Sequence, residues 1–95
     1  MIWSVYIITN KTKGVLYIGE TKQLKKRIYQ HKNKVHPTPF SARYNLDKLV
    51  YYEFHQTKEE ASLREKQLKK WNREWKIELI EKESPAWRDL FKDYD

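Results

Sequence analysis

The chain has 95 residues, no cysteine and a formal net charge of +7. This length suits one domain, 1–95, and the 39% hydrophobic and 15% aromatic content favours a folded core over disorder. The missing cysteines exclude disulfides and thiolate metal sites, and no apolar run reaches the roughly 20 residues that span a bilayer. Because the N-terminus also lacks signal-peptide features, the sequence predicts a cytoplasmic protein outside the membrane.

Two short strands are predicted first, over residues 3–9 and 15–19, because both are rich in apolar and β-favouring side chains. The segment between them, NKTKG, is typical of a turn, with Gly14 available for a positive φ. The two strands are therefore expected to form an antiparallel hairpin.

The register of this hairpin depends on where the turn is centred. A centre near Lys11-Thr12 makes Tyr6 and Tyr17 direct cross-strand neighbours on one face. A bulge at Gly14 would shift the pairing by one residue.

A helix is predicted next, with Thr21 as its N-cap. Leu24 and Ile28 give this helix an apolar side, whereas Arg27 and His31 share another face one turn apart. The helix must end before the prolines of the following loop, because proline cannot donate the helical hydrogen bond.

That loop covers residues 35–45, and the β-branched and aromatic residues of 47–55 predict a third strand after it. Thr57 and Glu60 have the spacing of a capping box, which opens a helix that runs to about Trp71.

A further helix is predicted over roughly 73–81, and another is expected to begin with Ser84 as N-cap and Pro85 at its first position. The resulting order, β-β-α-β-α-α-α, predicts an α+β domain. Its core would be a three-stranded antiparallel sheet flanked by helices.

The positive charge is concentrated in one part of the chain. Residues 11–36 contain eight basic side chains and a single acid, Glu20, whereas residues 57–95 contain ten of each sign. Clustered positive charge favours a nucleic-acid partner. The alternative is a solvated lysine-rich face that maintains solubility.

No glycine-rich phosphate loop and no histidine or cysteine cluster with ligand spacing is present. The residues that could carry chemistry are Tyr6, Tyr17, Arg27, His31 and Glu65. Each has an ordinary interpretation when taken alone. The tyrosines would pack in a sheet, the arginine and histidine would lie on an exposed helix face, and the glutamate would pair with a lysine one turn later.

Taken in order, the motifs resemble those of the GIY-YIG nuclease superfamily. The matching segments are SVY (4–6), YIG (17–19) after ten intervening residues, L..R...H (24–31) and REKQLKKW (64–71). SPAWRDL (84–90) is similar to the closing segment of small stand-alone bacterial members with a URI-type endonuclease domain. The resemblance covers nearly the whole chain, and the ordered combination is more specific than any one motif.

The resemblance implies cleavage of DNA phosphodiester bonds with one divalent metal ion, Mg²⁺ or Mn²⁺. Tyr6 and Tyr17 would be the paired site tyrosines, Arg27 would hold the scissile phosphate and Glu65 would bind the metal. His31 is expected to titrate near neutrality and to assist proton transfer. Whether Tyr6 or His31 is the proton acceptor stays open, because an unperturbed tyrosine has a pKa of about 10.

Nucleic acid is expected to contact Gly19, whose backbone a substrate can approach closely, and the basic residues around it. The residues predicted for this surface are Gly19, Lys22, Lys25, Lys26, Lys32 and Lys34.

The chain departs from the superfamily pattern at three points. Ser4 replaces the first glycine of the name motif, and Glu20 follows YIG where several catalytic relatives carry a lysine. The asparagine that usually follows the metal glutamate has two possible counterparts, Ser84 and Asn72. Ser84 also reads as a simple helix cap.

The sequence therefore predicts a metal-dependent endonuclease that acts on DNA, branched or single-stranded, as a monomer. One alternative is a nucleic-acid-binding module of the same fold that cleaves weakly or not at all. The other is an interaction domain of a larger nucleoprotein complex. The superfamily includes an excision-repair nuclease subunit, so the resemblance also suggests a role in DNA repair.

Overall fold

The computed structural model describes residues 2–33 and 43–91. Lys34 and most of the predicted loop 35–45 lie outside the described residues.

Three antiparallel strands form one sheet in the order β2-β1-β3. The strands are β1 (Trp3–Thr9), β2 (Leu16–Thr21) and β3 (Lys48–His55), and the helices are α1 (Leu24–Lys32), α2 (Lys58–Lys70) and α3 (Arg73–Glu83). The prediction of an α+β fold with a three-stranded antiparallel sheet is confirmed.

The hairpin register differs from the prediction by two residues. Tyr6 pairs with Gly19, and Tyr17 pairs with Ile8. The turn is centred one residue later than expected, because the Gly14 N–H donates to the Lys11 carbonyl at 2.9 Å. Since the shift is even, both tyrosines still project from the same face of the sheet.

The positive φ of this turn falls on Lys13, at 55°, and not on Gly14 as predicted. Gly14 is needed for a different reason: a Cβ atom there would collide with the Asn10 side chain. The same Asn10 side chain accepts a hydrogen bond from the Val15 N–H at 3.0 Å. Space, rather than backbone conformation, thus accounts for the glycine.

Each face of the sheet is covered by helices. On one face, Val5 and Ile7 of β1 pack with Ala61 and Leu68 of α2 and with Ile80 of α3. On the other face, a second cluster joins the sheet to α1 and comprises Tyr6, Ile8, Leu24, Ile28, Leu46 and Leu49. Odd-numbered and even-numbered residues of β1 therefore pack into two different hydrophobic cores.

Two helix starts test the capping predictions. Thr57 caps α2 as predicted, since its hydroxyl accepts the Glu60 N–H at 3.1 Å. Thr21, in contrast, is the last residue of β2, and its hydroxyl accepts the Gln23 N–H at 3.1 Å. The prediction of Thr21 as N-cap is wrong, because this local turn places Gln23 at the cap position of α1.

The helix predicted to begin at Ser84-Pro85 does not form over residues 84–90. Ser84 instead ends α3, and its carbonyl accepts the Trp87 N–H at 3.0 Å. Trp87 has a φ of 57° and lies buried in the core beneath α3, with its indole N–H donating to Glu81 at 2.8 Å. Burying this large side chain turns the backbone away from a helical path.

Candidate active site

Tyr6 occupies the centre of the α1 face of the sheet. Its side chain is buried and extends over Gly19, the residue that it faces on β2. A Cβ atom at Gly19 would lie 2.5 Å from Tyr6 Oη and 2.6 Å from Cζ. Gly19 therefore makes room for the Tyr6 ring, which is a packing role inside the site, and its predicted contact with nucleic acid stays a prediction.

His31 joins the two tyrosines from α1. Its Nε2 atom is hydrogen-bonded to Tyr6 Oη at 3.2 Å, and its ring centroid lies 5.9 Å from that of Tyr6 and 5.8 Å from that of Tyr17. His31 is buried, and its Nδ1 atom has no hydrogen-bond partner among the described residues. The structure thus brings together three of the residues that the sequence selected.

Arg27 lies one helical turn before His31 and is half-buried. A hydrogen bond and the positive charge of its guanidinium both act on Tyr6. One of its nitrogens also donates to Gln30 Oε1 at 3.3 Å. Gln30 was not selected from the sequence, although its spacing of three residues on the same helix would have indicated the contact.

The two titratable partners in this cluster are both neutral at neutral pH. Burial raises the pKa of Tyr6 to about 12, although the hydrogen bond and charge of Arg27 oppose this change. Burial, together with the nearby charge of Arg27, lowers the pKa of His31 to about 4. The expectation that His31 titrates near neutrality is therefore wrong, because its position on the helix buries it beside a permanent cation.

Glu65 comes from α2, which packs on the opposite face of the sheet. Its carboxylate is 19% exposed and accepts a hydrogen bond from Lys69 at 3.1 Å, which is the i,i+4 pair that the sequence offered as an alternative. Its negative charge also acts on the pKa of Tyr6. Tyr17 and Lys69 line the same shallow pocket at the β2 edge. Glu65 thus lies within electrostatic range of the Tyr6 hydroxyl, although its carboxylate is hydrogen-bonded to Lys69.

The donor atoms available there suit a hard cation bound by few protein ligands. Within residues 2–33 and 43–91, no three histidine, cysteine or carboxylate side chains gather as a metal-binding group. A single carboxylate fits Mg²⁺, which keeps most of its waters and is often held by one or two carboxylates together with substrate phosphate. Glu65 is partly exposed, so it meets this requirement, with Lys69 as a competing partner for one of its oxygens.

The two counterparts suggested for the family asparagine both serve α3. Asn72 is its N-cap, and its side-chain oxygen accepts the Trp75 N–H at 2.9 Å. Ser84 is the residue that ends the helix, and its hydroxyl accepts the Arg88 N–H at 3.2 Å. The Asn72 side chain therefore caps the start of α3, whereas the Ser84 hydroxyl satisfies an amide in the segment that follows the helix.

The lysines predicted to contact nucleic acid fall into two groups. Lys22, Lys25 and Lys26 are exposed at the start of α1. Lys32, in contrast, is paired with the Asp89 carboxylate and also donates to the Asp47 carbonyl at 2.7 Å. Its ammonium group thus fastens the C-terminal segment to α1, and its predicted role in nucleic-acid binding stays a prediction.

Glu20 is directed away from the tyrosines. Both of its carboxylate oxygens accept hydrogen bonds from the Ser62 hydroxyl of α2, at 2.9 and 2.8 Å. Strand alternation explains this, because Gly19 faces Tyr6 and the next residue must face the other side. The acid at this position therefore does not lie beside the Tyr6 hydroxyl.

Comparison with known proteins identifies the family of the chain. Residues 2–78 match the family model described as the GIY-YIG catalytic domain. The chain is 41% identical over 84 residues to UPF0213 protein CPE1444 of Clostridium perfringens, covering 84% of each chain. It is also 38% identical over 76 residues to UPF0213 protein SSP2268 of Staphylococcus saprophyticus, covering 80% of this chain and 90% of the relative. No solved structure matches significantly.

Proposed function

Because the chain belongs to the GIY-YIG catalytic domain family, we propose that it is a metal-dependent endonuclease that hydrolyses DNA phosphodiester bonds. The observation that carries the proposal is the 3.2 Å contact between Tyr6 Oη and His31 Nε2, made beside the Arg27 guanidinium. A phenol, a neutral imidazole and a fixed positive charge are groups that can bind a phosphodiester and move a proton.

Arg27 would bind the scissile phosphate. Its guanidinium is permanently charged and planar, so it matches two phosphate oxygens at once. Its half-buried position beside Tyr6 also limits competition from water for the same hydrogen bonds.

Tyr6 and His31 would act together in proton transfer. With a pKa of about 12, Tyr6 keeps its proton in the protein alone. In the tautomer with the proton on Nδ1, His31 Nε2 can accept the Tyr6 hydroxyl proton while Tyr6 accepts one from the attacking water.

Substrate binding would favour this transfer. The charge of Arg27 is one of the two causes that lower the pKa of His31 to about 4. A phosphate bound to Arg27 offsets that charge, so it raises the pKa of His31 and makes the imidazole a better proton acceptor.

Glu65 would hold the Mg²⁺ or Mn²⁺ ion. When bound, a divalent cation supplies charge neutralisation at the phosphate and a lowered pKa for coordinated water. Glu65 belongs to a helix that is fixed to the sheet through Ala61 and Leu68, so its carboxylate is anchored on a rigid element.

The proposal is tested by cleavage of labelled duplex, branched and single-stranded DNA with Mg²⁺, with Mn²⁺ and with EDTA. We expect metal-dependent cleavage that falls by at least about 100-fold in Glu65→Gln and Arg27→Ala, as is usual when a transition-state contact is lost. Glu78→Gln removes an exposed carboxylate on α3 and serves as the matched control, with unchanged cleavage. Full cleavage by Glu65→Gln would contradict the metal role of that residue.

A non-cleaving nucleic-acid-binding module is the second candidate. The observation in its favour is the Glu65–Lys69 ion pair, because an ammonium group competes with a metal for the carboxylate. If wild-type protein binds DNA in a salt-sensitive manner and cleaves none of the substrates with either metal, this candidate replaces the first.

A further inference from the structure

An open groove of about 990 Å³ lies between the start of α1 and the end of β3. Three large apolar side chains line it and remain about half exposed: Ile2 at 51%, Tyr29 at 57% and Phe54 at 53%. Contiguous exposed apolar surface of this kind commonly marks a binding site. The groove is separate from the tyrosine and histidine cluster, which none of its lining residues joins.

The polar part of the groove is basic. Lys22, Lys25 and Lys26 line it, and no acidic side chain does so among the described residues. The start of α1 adds to this character, since its cap residue Gln23 makes no side-chain hydrogen bond to the helix and its first turn has no acid. The amide groups at such a helix start favour a negatively charged group.

We propose that this groove binds unpaired nucleotides of single-stranded DNA. Bases would stack on Tyr29 and Phe54, and phosphates would contact Lys22 and Lys26. This inference rests on the proposed function, because it names the form of DNA that the same protein would cleave.

Unpaired bases fit the groove better than a duplex does. Aromatic side chains between a helix and a strand can stack only on the flat face of a base. In a duplex those faces are covered by neighbouring base pairs. A positively charged groove with exposed aromatic rings is the arrangement by which proteins bind single strands without reading their sequence.

The Phe54 part of the aromatic surface is packed against a neighbouring ring before any ligand binds. The Phe54 ring packs edge-on against Tyr52, with centroids 5.5 Å apart. The buried side chains of Ser4 and Leu24 also line the groove. A rigid aromatic surface loses little conformational entropy when a base stacks on it.

The position of the groove relates it to Arg27. Tyr29 lies on the flank of α1 that faces β3, whereas Arg27 lies on the flank that faces Tyr6. The two surfaces are therefore separated by about one helix width, roughly 10 Å. A strand held in the groove would thus place unpaired nucleotides next to the phosphate that Arg27 is proposed to bind.

The test is a binding assay in EDTA, so that cleavage plays no part. Fluorescence anisotropy would compare labelled oligothymidylate, oligouridylate, an abasic oligonucleotide of the same length and a duplex. We expect oligothymidylate to bind most tightly, and Tyr29→Ala and Phe54→Ala each to weaken it about tenfold, because stacking on one aromatic ring contributes roughly that much. Leu63→Ala, which removes a side chain that is 71% exposed on α2, should change nothing.

The inference would be overturned by equal binding of the abasic oligonucleotide, by unchanged affinity in both aromatic variants, or by tighter binding of the duplex or of oligouridylate than of oligothymidylate. A second copy of the chain could occupy the groove instead, and analytical sedimentation tests this. A wild-type dimer that dissociates in Phe54→Ala would assign the groove to a dimer interface. Loss of the proposed nuclease activity alone leaves the binding result intact, so the two proposals fail separately.

Discussion

Tyr6 and Gly19 face each other across the β1–β2 ladder, and the phenol ring occupies the space that a side chain at Gly19 would need. The φ of Gly19 is not positive, so the glycine is required by the ring and not by the backbone conformation. This pair fixes the Tyr6 hydroxyl against His31 Nε2. The packing of the Tyr6 ring therefore explains why the YIG segment ends in a glycine.

Gly19→Ala should lower the free energy of unfolding by about 1–3 kcal/mol, because the added methyl group overpacks the site. Urea denaturation measures the change. A double-mutant cycle with Tyr6→Leu provides the control, since the cost of the alanine should shrink once the ring is absent. Additive effects in this cycle would contradict the assignment of Gly19 to the Tyr6 ring.

His31 should make stability depend on pH. Its pKa of about 4 in the folded protein lies below the ordinary value of 6.5, so the unfolded chain binds the proton more readily. The stabilisation from neutral His31 is fully present above pH 6.5 and is lost as the pH falls toward 4, by about 3 kcal/mol in total.

Urea denaturation at several pH values would compare wild type with His31→Gln, and the difference between them should be confined to that window. The carboxyls of Glu53 and Asp89 have lowered pKa values and lose stability in acid in both proteins, so they cancel in the comparison. An NMR titration of His31 with a midpoint near its ordinary value would contradict the prediction.

Lys32 and Lys26 should separate stability from DNA binding. Lys32→Gln breaks the pair with Asp89, whose carboxylate also accepts the Leu49 N–H at 3.2 Å, and should lower the free energy of unfolding by about 1–3 kcal/mol. Lys26→Gln changes an exposed residue and should leave stability unaltered while reducing the salt dependence of DNA binding by about one charge. Denaturation measures the first effect, and a salt titration of DNA binding measures the second. A loss of stability in Lys26→Gln with unchanged stability in Lys32→Gln would contradict the prediction.

Lys69→Gln should make the proposed metal site easier to fill. The Lys69 ammonium donates to Glu65 Oε1 at 3.1 Å, so its removal leaves the carboxylate without a competing cation. Isothermal calorimetry should show tighter Mn²⁺ binding, and cleavage should reach half its maximum at a lower metal concentration. Lys66→Gln, an exposed lysine on the same helix, is the control. Weaker binding in Lys69→Gln would show that the ion pair positions Glu65 instead.

The sequence predicted which segments form strands and helices better than it predicted how the strands pair and where the helices begin. Runs of apolar, β-branched and aromatic residues located all three strands, and the Thr57 cap located the start of α2. The hairpin register was wrong because turn closure depended on the Asn10 side chain and on space at Gly14. The last predicted helix was wrong because burial of Trp87 outweighed the local cap signal from Ser84 and Pro85.

In the candidate site as well, the sequence predicted some features and the tertiary structure decided others. Motif order alone selected Tyr6, Tyr17, Arg27, His31 and Glu65, and strand parity alone could have placed Glu20 on the opposite face. Only the tertiary structure decided that His31 is buried beside a cation and that Lys32 is held by Asp89, whereas the Glu65–Lys69 pair one turn apart was an alternative that the sequence already offered. Periodicity and motif spacing are local and can be read from the chain, whereas burial and ion pairing depend on which distant segments meet.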